Sequence, residues 1–370
     1  MNILIVANSL DKGGRTKRIS QEKSGLEALG HSVFLASFEP PPSWVLEQHQ
    51  DSTNWLCLTK KEGKFDFALI RQLINTLKTM KIDIVHAHCE ASALYAGLAC
   101  KLTRKPIIGT YHRSELRYYQ PTLKNKLSAW LLNHYIAISN ERKLRMVNQL
   151  GINDKKTTTI HGGVELSEVP QPEGNATQAA KDKLALNGRI LFSAGHLGPI
   201  KGHDDSIEAL ALLKQKSPKV LDSTHLYIAG DGAPQDYERL RTHIRDKGLE
   251  DKITLLGQVT NVMDWMQACD IFLQPSREEG FGLVFIEAGI CHKPTLATQV
   301  GGIPDIIINE ETGILVPPES PKVLAEKLDL LLNNDSLAQK LGEQAHQRTL
   351  DHFLLSDQIQ KLEKVYRDQL

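Results

Sequence analysis

Glu279-Gly-Phe-Gly-Leu-Val-Phe-Ile-Glu287 places two carboxylates on either side of Gly280 and Gly282. Glycine disfavours helix interiors and favours unusual backbone angles. The stretch therefore predicts a tight loop through Gly282 and then a helix over about 283–291. Glu279 would lie in the loop and Glu287 on the second helical turn. Between them, Phe281, Gly282 and Leu283 supply backbone N–H groups at a helix N-terminus. Such groups lack intrahelical acceptors and carry partial positive charge, so they bind phosphate. A carboxylate on each side can hold sugar hydroxyls. The chemistry fits a sugar joined to a phosphate.

Other residues extend that reading. Lys201 ends Gly195-His-Leu-Gly-Pro-Ile-Lys201 and precedes a predicted helix. Its ammonium can neutralise a departing diphosphate; elsewhere on a surface it would be an ordinary solvated lysine. Gly13 and Gly14 form no Gly-x-Gly-x-x-Gly, so a dinucleotide fingerprint is unsupported. The pair serves either close approach of a ligand or a plain turn. His86 and His88 alternate on a strand and share a face. With His112 they would make a metal set for a hydrolase, but no nearby acidic ligand completes the set. Leu123, Leu127, Trp130 and Leu131 share a helical face, in a stretch that also holds Arg113, Arg117, Tyr118, Tyr119, Lys124 and Lys126. That face reads as core, with docking to anionic lipid or a charged acceptor as the alternative.

Short apolar runs at 3–7, 32–36, 82–86, 106–110 and 135–138 read as strands with helical stretches between most of them. After 168–187, rich in Pro, Gly, Ala and polar residues, the pattern restarts. Strands are predicted at 190–194, 225–229, 252–256, 271–274 and 294–298, and helices at 204–215, 236–247, 283–291 and 321–333. This punctuation predicts α/β architecture with parallel, doubly wound sheets. The division is a first domain over 1–167, a linker over 168–187 and a second domain over 188–351. A last helix, within 352–370, is predicted to return to the first domain. Two such domains predict a cleft, where ligands of such pairs bind.

Across 370 residues, 41% hydrophobic and 24% charged content are those of a globular chain of two domains. No apolar run reaches the roughly 18 residues of a spanning helix. The first seven residues read as a strand, not a signal peptide. Five scattered cysteines without Cys-x-x-Cys fit a reducing cytosol and give no disulfide or zinc framework. Net charge is zero, yet residues 1–150 hold 21 of the 44 Lys/Arg and only 12 of the 44 Asp/Glu. A basic front half favours an anionic partner or membrane surface; no nucleic-acid motif accompanies it.

With these motifs in order, the chain resembles the retaining nucleotide-sugar glycosyltransferases of family 4, which have the GT-B fold. The residues carrying the resemblance are Gly13-Gly14, Asp83-Ile-Val-His-Ala-His88 and Thr110-Tyr-His112. They continue with Gly195 through Lys201, Ala229-Gly-Asp-Gly232, Pro275 through Gly282, Gly301-Gly-Ile-Pro-Asp305 and Thr312 through Pro317. The resemblance implies two Rossmann-like domains facing across a cleft and transfer of a sugar from a nucleotide diphosphate with retained configuration. No metal or other cofactor is required. It assigns His112, Lys201 and Glu279 to catalysis. It assigns Gly13, Gly14, His196, Lys201, Gly280, Phe281, Gly282, Leu283 and Glu287 to the donor, with Glu287 on the ribose. The acceptor would be a glycan or lipid-linked precursor of a cell-surface lipopolysaccharide, exopolysaccharide or glycolipid, met in the cytoplasm or at the inner face of the membrane. His196 stands where the family usually has arginine, which weakens the donor site or leaves compensation to Arg277. A sugar-nucleotide isomerase or epimerase on the same fold and a non-catalytic nucleotide-sugar-binding protein are the alternative readings.

Overall fold

The apolar runs become the central strands of two parallel sheets. The protein is described as a computed structural model covering residues 1–10, 13–40, 55–61, 65–112, 120–168 and 176–370. Met1–Gly162 and Leu355–Leu370 form one unit, Gly163–Leu354 the other.

The first unit holds seven strands: β1 (Asn2–Ala7), β2 (Ser32–Ser37), β3 (Trp55–Cys57), β4 (Ile84–His88), β5 (Ile107–Tyr111), β6 (His134–Ala137) and β7 (Thr157–Thr159). Their order is β3-β2-β1-β4-β5-β6-β7, all parallel. Ile3, Leu4, Ile5 and Val6 are all fully buried, as a central strand covered on both faces requires. Leu4, Val6 and Val85 pack with Leu69, Leu73, Ala96 and Ala99 from helices Phe67–Thr79 and Glu90–Thr103. On the other face Ile3, Ile5, Ile84 and Ile108 meet Ile19 and Leu26 of helix Gly14–Ala28, with Ile359, Leu362 and Tyr366 of helix Leu355–Arg367.

The second unit repeats the plan with β8 (Arg189–Ala194), β9 (Thr224–Ala229), β10 (Ile253–Gly257), β11 (Ile271–Gln274), β12 (Thr295–Thr298) and β13 (Ile314–Val316), ordered β10-β9-β8-β11-β12-β13 and again parallel. The doubly wound α/β reading therefore holds in both units. Each sheet reverses its winding once, between β1 and β4 and between β8 and β11. Ligands of such sheets bind beyond the strand C-termini at that point.

Two stretches differ from the sequence reading. Residues 168–187 contain helix Ala176–Lys183, inside the second unit. Its Lys181 ammonium ties it to that unit by donating to Asp270 at 2.7 Å and to the Gly188 carbonyl at 2.9 Å; residues 169–175 lie outside the described residues. Of the helix Leu123–Leu131 face read as core, three residues point outward: Leu123 is 86% exposed, Trp130 68% and Leu127 43%. Leu131 is buried as read, and Ser128 and Ala129 are buried beside it. The reason is a close approach at Gly97, where a β-carbon would come within 2.7 Å of Leu131 Cβ. Among the described residues no helix is long and apolar enough to cross a membrane.

Candidate active site

Loops after β8, β11 and β12 converge at the switch point of the second sheet. Gln274, the last residue of β11, locks the first two together. Its Oε1 accepts from Ser193 Oγ at 2.9 Å and from the Ala194 amide at 3.2 Å, and its Nε2 donates to the Lys201 carbonyl at 3.1 Å. The Arg277 and Glu278 amides donate to the Ile200 carbonyl at 2.7 and 3.3 Å. Thr298 Oγ1, from the end of β12, donates to the Ser276 carbonyl.

That scaffold brings Lys201 and Glu279 together: Lys201 Nζ lies 2.6 Å from Glu279 Oε2, and both side chains are largely buried. The predicted loop and helix are present, the helix running Leu283–Ile290 with Gly282 as its N-cap at φ 95°. A β-carbon at Gly282 would also strike the Phe285 ring. Phe281 is buried, while Gly282 and Leu283 are half-buried at the helix start. Glu287 lies on the second turn and is buried. The Gly280 amide is used inside the loop, donating to Glu279 Oε1 at 3.2 Å. His196 is exposed on the same loop as Lys201. Its Nδ1 accepts from the Gly198 amide at 2.9 Å, which leaves the ring proton on Nε2. Arg277, the cation that could compensate for His196, forks its Nε and Nη2 onto Asp205 at 3.2 and 2.9 Å. His203, fully enclosed behind the loop, is pushed down to about 4 by burial and then by Lys201. It is neutral at physiological pH and adds no charge to the site.

Gly13, Gly14 and His112 belong to the first unit. Gly13 caps helix Gly14–Ala28 at φ 151°, just past the end of β1; residues 11–12 lie outside the described residues. His112 follows β5 and is partly exposed. Its Nε2 lies 2.7 Å from Nδ1 of buried His88. The acidic group missing from the sequence reading of these histidines is Glu22, fully buried on helix Gly14–Ala28. Its Oε2 is 3.4 Å from His88 Nε2 and 3.7 Å from His86 Nδ1. Arg18 Nε pairs with the other oxygen at 2.7 Å. Both nitrogens of His86 are already engaged, Nδ1 with the Tyr366 hydroxyl at 2.6 Å and Nε2 with Thr110 Oγ1 at 2.7 Å. Burial pushes His86 down to about 3, and burial together with surrounding positive charge holds His88 and His112 well below the usual imidazole range. The cluster is a set of neutral imidazoles around one carboxylate–guanidinium pair. Sequence reasoning missed Glu22 and Arg18. Their only signal was an i,i+4 Arg–Glu pair on the helix after the glycine pair.

A family model described as glycosyl transferases group 1 matches residues 175–348, and one described as glycosyltransferase family 4 matches residues 13–168. An uncharacterized glycosyltransferase of Methanocaldococcus jannaschii is 31% identical over 278 residues, 73% of this chain and 71% of that one. The D-inositol 3-phosphate glycosyltransferase of Jonesia denitrificans is 28% identical over 292 residues, 73% of this chain and 69% of that one. Anabaena HepE, solved in complex with UDP, superposes with a TM-score of 0.87 at 20% identity over all of both chains. HepE has also been solved with UDP-glucose.

Proposed function

The chain belongs to the family 4 glycosyltransferases, and on that premise we propose that it moves a sugar from a nucleotide diphosphate to an acceptor hydroxyl, with anomeric configuration retained and no metal needed. The observation that carries this reading is the Lys201–Glu279 pair beside a helix N-terminus at the sheet's switch point. Lys201 has three ammonium protons and gives one to Glu279, so two remain for diphosphate oxygens. As the sugar–phosphate bond breaks toward an oxocarbenium-like state, negative charge grows on the diphosphate, where the ammonium and the amides of 281–283 stabilise it. Glu279 holds sugar hydroxyls and Glu287 the ribose. His112 is assigned to a hydroxyl of the transferred sugar. The acceptor hydroxyl attacks from the leaving-group face, and the phosphate takes its proton. The acceptor class is a glycan or lipid-linked precursor of a cell-surface polymer or glycolipid.

His196 favours a second reading, donor binding without turnover, because one imidazole N–H replaces the two-pronged grip of an arginine. Calorimetry with UDP-glucose as first probe, paired with a radiolabelled-sugar assay, decides between them. Glu287→Ala is expected to weaken nucleotide binding by about tenfold to a hundredfold, the loss of charge-assisted hydrogen bonds to the ribose. Unchanged affinity refutes the ribose assignment. Tight binding with neither transfer nor slow donor hydrolysis, across a panel of nucleotide sugars, moves the protein to the second reading.

A membrane surface is the proposed setting. Leu123, Leu127 and Trp130 project from one helix face, with Lys101 Nζ 5.2 Å from the Trp130 ring centre and Lys126 exposed. Apolar anchors ringed by lysines suit an anionic interface. Cosedimentation with anionic vesicles should fall by about tenfold in a Leu123→Asp, Trp130→Asp variant, from lost apolar burial. Equal partitioning of variant and wild type rules this surface out.

A further inference from the structure

Glu22 is fully enclosed, yet its two oxygens face different partners. Oε1 accepts from Arg18 Nε at 2.7 Å and from Gln358 Nε2 at 3.2 Å. Oε2 has no hydrogen-bond partner among the described residues and faces His88 Nε2, which has none either, at 3.4 Å. His88 Nδ1 in turn meets His112 Nε2 at 2.7 Å. Two orphaned polar atoms 3.4 Å apart in the interior are costly unless a proton is shared between them.

We propose that Glu22 and His88 are positioning residues that fix the ring tautomer of His112, placing its proton on Nε2 and a lone pair on Nδ1. Burial holds the Glu22 carboxyl above its usual range, with Arg18 pulling against it. Arg18 is itself buried, its Nη2 donating to the Ile160 carbonyl at 3.0 Å; neutralising Glu22 would leave a guanidinium uncompensated in the interior, which is strongly unfavourable. Glu22 is therefore the anion and only accepts. His88 Nε2 must carry the proton that faces it. A neutral imidazole has one ring proton, so His88 Nδ1 accepts, and the proton in the 2.7 Å contact comes from His112 Nε2. That leaves His112 Nδ1 as an acceptor, suited to a substrate hydroxyl. No described residue takes that nitrogen. His86 stays out of the chain because Tyr366 and Thr110 hold both its nitrogens.

Ligand atoms of Glu22, His86 and His88 lie within 4.8 Å of one another, close enough to hold a metal ion. A dication there would have to displace the Tyr366 hydrogen bond and sit beside the Arg18 guanidinium. The proton relay needs neither.

Glu22→Gln gives a sharp test because it is isosteric and inverts the chain. Arg18 and Gln358 hold the amide oxygen at the Oε1 position, so the NH2 faces His88 Nε2 and donates. His88 Nδ1 then carries the ring proton and donates to His112 Nε2, and the proton of His112 moves to Nδ1. Long-range proton–nitrogen NMR of 15N-histidine-labelled full-length protein reads the tautomer directly, with His112 assigned by loss of its signals in His112→Gln. Wild type is expected to show the Nε2-protonated form and Glu22→Gln the Nδ1-protonated form. An Nδ1-protonated His112 in wild type overturns the relay, as does an unchanged tautomer in the variant. Stoichiometric Zn²⁺ converting His88 to a metal-bound state also overturns it.

The role of the relay in turnover rests on the sugar-transfer reading. There, Glu22→Gln should lower kcat about tenfold to a hundredfold, as for a hydrogen bond lost at the reacting sugar, with KM for the nucleotide sugar nearly unchanged. A flipped tautomer with unchanged kcat keeps the relay and removes His112 from the reaction. The two failures are thereby separated.

Discussion

Lys201→Ala is expected to lower turnover of a nucleotide sugar by about tenfold to a thousandfold, the loss of one preorganised transition-state donor, or about 1.4–4 kcal/mol. The ammonium is held at 2.6 Å from Glu279 before any substrate arrives, and its backbone carbonyl is fixed by Gln274. A charge so placed needs little reorganisation when the diphosphate departs. Substitution also takes one ammonium away from the largely buried Glu279 carboxylate, so the diphosphate would meet more negative charge. Lys201→Arg keeps the charge but changes its shape and should recover only part of the rate. Rates are read in single-turnover assays, with thermal unfolding as the check on folding. If the alanine variant turns over at the wild-type rate, the pair is structural and the catalytic assignment of Lys201 fails.

Legibility in the sequence followed locality. β11 matches its apolar run residue for residue, at Ile271–Gln274. β4 begins two residues later than its apolar run, because Asp83 turns its carboxylate back to accept from the Asn2 amide at 2.8 Å before the strand pairs. The three strands missed, Trp55–Cys57, Thr157–Thr159 and Ile314–Val316, are three-residue sheet edges. Such strands are too short for alternation to register, and Thr157–Thr159 has no apolar residue at all. The residues assigned to the donor stood out because a loop motif carries its chemistry in neighbouring positions. The partners of the histidines did not, since His86 and Tyr366 meet across 280 positions and Glu22 and Gln358 across 336. No periodicity or spacing encodes such meetings; they follow from helix Leu355–Arg367 packing against helix Gly14–Ala28 in the first unit. Helix Leu123–Leu131 was misread for a related reason. Which apolar face turns inward was decided by the space at Gly97 on another helix.

Gly301→Ala is expected to cut turnover by about a hundredfold, in line with the effect of displacing a catalytic group by roughly 1 Å. Gly301 adopts φ 53°, and a β-carbon there would overlap the Glu279 carbonyl oxygen. The neighbouring Gly302 amide donates to that same oxygen at 3.3 Å, so the turn after β12 clamps Glu279 from behind. Because the obstructing atom is backbone, no rotamer change relieves the overlap. Either the turn lifts and the clamp opens, or Glu279 moves relative to Lys201. The left-handed angle alone costs alanine about 1–2 kcal/mol. Gly151→Ala is the matched control, since Gly151 has φ 66° with nothing within 4 Å of the added carbon and caps helix Asn140–Leu150 in the first unit. Both variants should lose a few degrees of Tm from the strained angle, but only Gly301→Ala should lose activity and donor affinity. Equal activity in the two would mean that Glu279 tolerates displacement, and its place in the chemistry would go with that result.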